Sequence, residues 1–201
     1  MRTTWNFFSA GQLHFGRGSV RHVGQLAGRL GADGVLVVTD TALIEAGLFD
    51  QVKEPLESVG MWVELFDGGE PEPSIDAAMR AIESARAFGP NAIVGLGGGS
   101  NMDLAKITAI ALTHGGRPHD YFNWDNVPGP TCPLICVPTT SGTGSEVSHA
   151  AVLTDTENEI KVSTLSNYIR PHLAVVDPEL SITCPPKATA DSGIDALTHA
   201  V

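Results

Sequence analysis

The sequence predicts an α/β protein built around a parallel sheet. Three observations predict it: short apolar runs suited to strands buried on both faces, helical periodicity between those runs, and a glycine cluster at the turn from the third run into a helix. Strands that alternate with helices are joined by crossovers, which leave neighbouring strands parallel. The chain has 201 residues, 42% of them hydrophobic and 17% charged, which suits a packed core and is too apolar for a disordered segment.

The elements follow in order. Residues 35–39 (VLVVT) form an unbroken apolar run and predict the first buried strand. Residues 42–60 carry helical periodicity, with breaks predicted near Gly47 and at Pro55. Residues 62–66 read as a strand and residues 67–73 (DGGEPEP) as a loop. Ser74 is placed to cap a helix reaching Phe88, with Ile75, Ala78, Met79 and Ile82 on one face. Residues 92–96 are a third buried strand, followed by Gly97, Gly98, Gly99 and Ser100 and a helix over 101–113. Further strands are predicted at 134–138, 148–154 and 173–176. An amphipathic helix begins near Pro186 and still runs at Val201 without a cap, so the reading expects a fragment that lacks a second domain.

Composition excludes several functions. Lys and Arg total 12 against 23 Asp and Glu, and the net charge of −11 repels a phosphate backbone and an anionic membrane surface. Neither nucleic acid nor membrane is therefore expected as a partner. No apolar run approaches the ~18 residues of a membrane span. Met1–Phe8 has the features of neither a signal nor a transit peptide. The 3 Cys are widely spaced, with Cys132 and Cys136 expected to flank a strand; they fit reduced thiols in a cytoplasmic protein.

Strand, GGGS, then helix offers backbone N–H groups and a partial positive charge to an anion. Alone, this is equally a tight turn. The usual dinucleotide fingerprint is incomplete, because no acid ends a strand ~20 residues later. Asp40 instead ends an earlier strand. It either accepts ribose hydroxyls, favouring NAD over NADP, or caps the helix starting at Thr41; spacing does not separate the two. Residues 138–148 (PTTSGTGSEVS) bring 6 hydroxyl side chains and 2 glycines to a strand's carboxyl end, where they can wrap a phosphate or ribose or simply form a surface loop. Asp191, Asp195 and His199 fall on one helical face at i, i+4 spacing. Carboxylate plus imidazole can share a metal ion, although spacing alone favours a solvated pair. The remaining histidines (His14, His22, His114, His119, His149 and His172) have no ligand spacing and read as surface or loop residues.

Taken together, four ordered segments resemble the iron-containing, metal-dependent (type III) alcohol dehydrogenase family. They are VVTDTAL around Asp40, GGGSNMDLAK with Asp103 and Lys106, the PTTSGTGSEV loop, and SGIDALTHAV at the end. FGRGSV and EPEPS fit as well, so the resemblance covers nearly the whole chain. It implies a Rossmann-like dinucleotide-binding domain over 1–185, with 186–201 the first helix of a truncated all-helical metal domain. It implies that Asp40 takes the adenosine ribose, and that Gly97, Gly98, Gly99 and Ser100 take the pyrophosphate, with Asp103 beside it. Thr139, Thr140 and Thr143 would line the nicotinamide side, and Lys161 the nicotinamide ribose. Asp195 and His199 would be two of four metal ligands and act in catalysis through the metal; the other two, histidines, would lie beyond residue 201. The implied reaction is hydride transfer between an alcohol or aldehyde and NAD, with Fe(II) or Zn(II) as Lewis acid and a homodimer as the full-length form. Alternatives are a hydroxyacid–oxoacid transhydrogenase of the same family, a zinc-dependent sugar-phosphate lyase or polyol-phosphate dehydrogenase, and a catalytically inert dinucleotide-binding fragment.

Overall fold

The computed structural model describes residue 4, residues 8 and 9, and residues 11–201. Most of Met1–Phe8 lies outside the described residues, and with it the reading of that segment as neither signal nor transit peptide. The elements in chain order are β1 (Gln12–Phe15), α1 (Val23–Arg29), β2 (Gly34–Val38), α2 (Thr41–Glu45), α3 (Leu48–Ser58), β3 (Trp62–Phe66), α4 (Ile75–Phe88), β4 (Ala92–Gly97) and α5 (Gly99–His114). After them come β5 (Asn123–Trp124), β6 (Leu134–Pro138), β7 (Ala150–Asp155), β8 (Ile160–Leu165), β9 (Leu173–Val176) and α6 (Pro186–Ala200).

Six strands form one parallel sheet in the order β1-β9-β6-β4-β2-β3. Side chains of β2 alternate between its faces. Leu36 and Val38 join the core under α4 and α5, whereas Val35 and Val37 join the core under α1 and α3. The sheet is therefore covered on both faces, which is why β2, β4 and β6 read as unbroken apolar runs and are buried throughout. The chain moves outward from β2 to β3 and then returns past β2 to β4. The carboxyl ends of β2 and β4 flank that reversal, the place where an open parallel sheet leaves a crevice.

Local sequence explains most element boundaries. The Ser74 hydroxyl accepts the Ala77 N–H and starts α4 as expected, and Gly89, at φ 71°, ends it. Gly47, at φ 72°, separates α2 from α3. The break expected at Pro55 is absent, because α3 runs through it to Ser58. The Pro55 carbonyl packs against α1 at Gly24, where a Cβ would lie 2.1 Å from that oxygen. Close helix packing thus compensates for the one N–H that proline lacks.

Two elements depart from the sequence reading. The strand expected at 148–154 is β7, beginning at Ala150, and it pairs antiparallel with β8, which was not foreseen. With β5 they form a separate three-stranded ribbon whose Ala151 and Leu153 pack on the α4–α5 side of the core. Cys136 lies inside β6 and does not flank it. All three cysteines are free thiols. Burial pushes the Cys136 thiol from its ordinary 9 up to about 12. The folded chain therefore holds this proton more tightly than the unfolded one, and the associated stability is lost as pH rises from about 9 to about 12. Cys136 is expected to stay silent to a maleimide at about pH 8 until denaturant is added; a native thiol count of 3, from the 3 Cys present, would contradict this packing.

Candidate functional site: two cavities joined by the glycine loop

The helix α5 begins where β4 ends, so the glycine loop sits at the carboxyl edge of the sheet. Gly97 closes β4 at φ 139°, a conformation foreign to residues with a Cβ. Its carbonyl accepts the Thr139 N–H at 3.0 Å, which ties the loop to the hydroxyl-rich segment after β6. Gly98 precedes α5 as its cap without a side-chain bond, leaving first-turn N–H groups of a 16-residue helix open to a ligand.

Two cavities meet at this loop. A smaller one of about 240 Å³ is lined by Asp40, Gly98, Thr139 and Thr140, together with Leu180 and Thr183. A larger one of about 580 Å³ is lined by Gly99, Ser100, Asp103, Thr143, Lys161, Asp195 and His199, among others. The sequence-derived cofactor and metal residues therefore gather at one edge of the sheet, with Gly97 at the hinge between β4 and the loop. No helix among the described residues is long and apolar enough to cross a membrane.

Asp40 does cap α2: its Oδ1 accepts the Leu43 N–H at 3.0 Å. Its Oδ2 accepts Asn101 Nδ2–H at 2.7 Å, and the same amide donates to the Leu96 carbonyl at 3.1 Å. Capping and ribose binding are compatible, because a carboxylate has about four lone-pair sites and two are taken here. Asn101 thus orients Asp40, a role with no signal in the sequence beyond the amide's place in the first turn of α5.

The far side of the larger cavity is charged. Lys161 Nζ lies 2.6 Å from Glu72 Oε1, and both side chains are exposed. Glu72 itself is held at φ 52°, with its N–H donating to Ser100 Oγ and its carbonyl accepting Thr154 Oγ1–H. The loop of residues 67–73 therefore bridges the glycine loop and the ribbon, and Glu72 is a cavity residue that sequence reading missed. Asp103 is nearly buried at the cavity wall. Burial raises its carboxyl, opposed by the Lys106 ammonium and by hydrogen bonds from Ser145 Oγ–H and the Val152 N–H.

Asp195 and His199 lie on α6 with Oδ1 and Nε2 3.8 Å apart and both side chains largely exposed. A carboxylate oxygen and an imidazole nitrogen suit a divalent first-row ion. Among the described residues no group of three metal-binding side chains forms, so the pair amounts to about half of a four-coordinate shell. Asp191 is drawn instead to Lys187, at 2.7 Å. Other histidines also have specific partners. His172 Nδ1 accepts the Leu134 N–H, and His14 and His22 meet with ring nitrogens 3.0 Å apart.

The chain is similar to known proteins of one family. A family model described as iron-containing alcohol dehydrogenase matches residues 10–178. The chain is 41% identical over 192 residues to a choline dehydrogenase of Bacillus subtilis (strain 168), covering 94% of this chain and 48% of that protein. It superposes on the crystal structure of a 1,3-propanediol oxidoreductase with a TM-score of 0.94 and 35% identity, covering 98% of this chain and 52% of that one. It superposes on a sulfoacetaldehyde reductase from Bifidobacterium kashiwanohense, in complex with NAD+, with a TM-score of 0.87 and 30% identity, over 98% and 52% of the two chains. The chain spans about half the length of the curated relatives it matches. Both the ordered motifs and the parallel-sheet fold that carries them agree: this chain belongs to the iron-containing alcohol dehydrogenase family.

Proposed function

We propose that this chain is the cofactor-binding part of an NAD-dependent, divalent-metal-dependent alcohol dehydrogenase or aldehyde reductase. The observation that carries the reading is the pair of cavities joined by the glycine loop. One has a carboxylate beside it, and the other has a lysine, hydroxyls and a carboxylate–histidine pair. A dinucleotide is long and has an anionic centre, and the N-terminus of α5 is suited to that centre. In this reading Asp40 accepts hydroxyls of the adenosine ribose. Gly97–Ser100 hold the pyrophosphate through backbone N–H groups. Asp103 stands beside the pyrophosphate, Thr139, Thr140 and Thr143 line the nicotinamide side, and Lys161 meets the nicotinamide ribose.

Bound nicotinamide supplies the hydride acceptor or donor, which no side chain of this protein can replace. Asp195 and His199 are two donors to a divalent ion, Fe(II) or Zn(II). The described residues do not complete the shell, so the chain's own contribution is orientation of two ligands on one face of α6. The exposed Ile194 and Leu197 of α6 support the view that this helix opens a further helical part carrying the remaining donors. A small alcohol or aldehyde is the substrate class, the cytoplasm the compartment and a homodimer the assembly that fit this reading.

The test is titration of the 201-residue chain with NADH and with NADPH, followed by nicotinamide fluorescence. NADH is expected to bind about tenfold or more tighter than NADPH, since like charges at about 4 Å repel by ~1–4 kcal/mol between water and a protein surface. Asp40→Ser separates charge from capping, because serine caps a helix about as well as aspartate. It is expected to erase the discrimination, with a fall in melting temperature set by the lost Asn101 contact and not by loss of the cap. Equal affinity for both cofactors in the wild type sinks the role of Asp40; binding of neither sinks the dinucleotide reading.

A further inference from the structure

The helix that carries Asp195 and His199 buries no side chain. Its half-buried residues are Ala188, Ser192, Asp195 and Ala196, and its other positions are exposed. At i, i+4, i+7 and i+8 these four share one face of α6. That face leans on the hydroxyl-rich loop. The close approach is at Gly142, where a Cβ would lie 2.6 Å from the Ser192 carbonyl oxygen and 2.9 Å from the Ser192 Cα. Backbone meets backbone there. Gly142 has no conformational reason to be glycine, because its φ lies outside the left-handed region. Gly144 is the reverse case: its φ is 62°, and a Cβ on it would meet nothing within 4 Å. The loop under the helix is itself anchored. A Cβ on Gly99, in the first turn of α5, would lie 2.8 Å from Thr143 Cγ2. The buried Lys106 of α5 donates to Ser145 Oγ at 2.7 Å. The loop is thus wedged between the start of α5 and the flank of α6.

We propose that Gly142 is a positioning residue for the carboxylate–histidine pair: its missing side chain seats α6 on the loop in one register, which aims Asp195 and His199 into the larger cavity. Asp195 follows Ser192 by three residues and His199 by seven, so both stand on the side of the helix next to the contact. They line that cavity together with Thr143 of the same loop. The segment whose threonines are proposed for the nicotinamide side therefore also sets where the two metal donors stand. The proposal rests on the dinucleotide and metal readings above. A methyl group at position 142 has to displace either the loop or the helix. Moving the loop breaks the hydrogen bonds of Thr139 to Gly97 and of Ser145 to Lys106. Moving α6, which buries no side chain, sacrifices little apolar burial. The helix therefore yields.

The test compares the wild-type 201-residue chain with Gly142→Ala, Gly144→Ala and His199→Ala, using Co(II) as the probe metal. Three signals are read: broadening of the His199 ring resonances by Co(II), quenching of bound NADH fluorescence by the same ion, and amide hydrogen exchange over residues 186–200. In the wild type Co(II) is expected to broaden His199 and quench the NADH, and His199→Ala should lose the quench. Gly142→Ala should keep the broadening, because both donors sit on one helix, yet lose the quench and exchange faster over α6. Gly144→Ala, which strains the same loop without touching α6, should melt lower and keep the quench. A quench that survives in Gly142→Ala, or is lost equally in Gly144→Ala, overturns the proposal. So does a wild type in which Co(II) broadens His199 and leaves NADH bright. Should the wild type bind no NADH, the dinucleotide reading fails on its own account; should Co(II) leave His199 sharp, the metal reading does. Exchange over α6 then decides the seat: faster exchange in Gly142→Ala, with β4 and β6 unchanged, supports it, and wild-type exchange refutes it. If Gly142→Ala does not fold, Ser192→Leu presses on the same contact from the helix side and is read in the same way.

Discussion

Replacing Gly97 by alanine is expected to lower NADH affinity by about tenfold or more, with a loss of stability alongside. Two physical effects act at the same residue. Its φ of 139° belongs to a region that a residue with a Cβ occupies only under strain, about 1–3 kcal/mol. The added Cβ would also lie 2.3 Å from Asn101 Nδ2 and 2.9 Å from Leu43 Cδ1, so those side chains must move. Asn101 is the residue that holds Asp40, and displacing it releases the carboxylate proposed for the ribose. One methyl group therefore disturbs the pyrophosphate end and the ribose end together. Each kcal/mol lost corresponds to a drop of about 2–4 °C in melting temperature for a protein of this size. Titration and thermal melting of the purified variant check both parts. An unchanged affinity for NADH would show that Gly97 serves only as a turn.

Leu104→Ala is the second large effect, and it lands on stability. Leu104 is fully buried in α5, in the core shared with Ile93, Leu36 and Ala78. Truncating such a leucine removes its transfer free energy and leaves a cavity, a loss of about 2–5 kcal/mol. The upper part of that range is expected because α5 is enclosed by β4, by α4 and by β7, so the site has little room to collapse. Denaturant unfolding should show a lower midpoint with an unchanged slope. At temperatures well below the new melting point NADH binding should survive, because no group at the cavity wall is lost. A cost below about 1 kcal/mol would mean that α5 repacks more freely than a doubly covered helix should.

These two residues differ in how plainly the sequence announces them. Leu104 lies in a helix buried nearly all round, where no periodicity singles it out, whereas Gly97 stands in a conspicuous cluster. Ser74 as a cap and residues 62–66, 134–138 and 173–176 as strands were likewise legible, each from signals within a few residues. Strand β8 was not, because four of its six residues are Lys, Ser, Thr and a solvent-facing Ile in a half-exposed ribbon with little alternation. Its strand character comes from pairing with β7. Pro55 read as a breaker because proline chemistry is local, whereas the packing of Gly24 on its carbonyl is not. Glu72 looked like loop composition until the fold brought it to Lys161, 89 positions away.

By itself the sequence determined the class of the fold, the segments that carry chemistry and the family to which they belong. Buried parallel strands, helix caps and glycine turns leave their marks in short windows, since the hydrogen bonds and apolar faces that make them repeat every few residues. Tertiary structure decided which of those segments meet. It set β2 beside β4, so that Asp40 and the glycine loop share an edge. It closed Lys106 onto Ser145, 39 positions on, and so tied the hydroxyl-rich segment to α5. A buried charge is stable only where the whole fold brings acceptors to it; the lysine is therefore written in the sequence as an exception to an apolar helix, and its partners emerge only once the chain has folded.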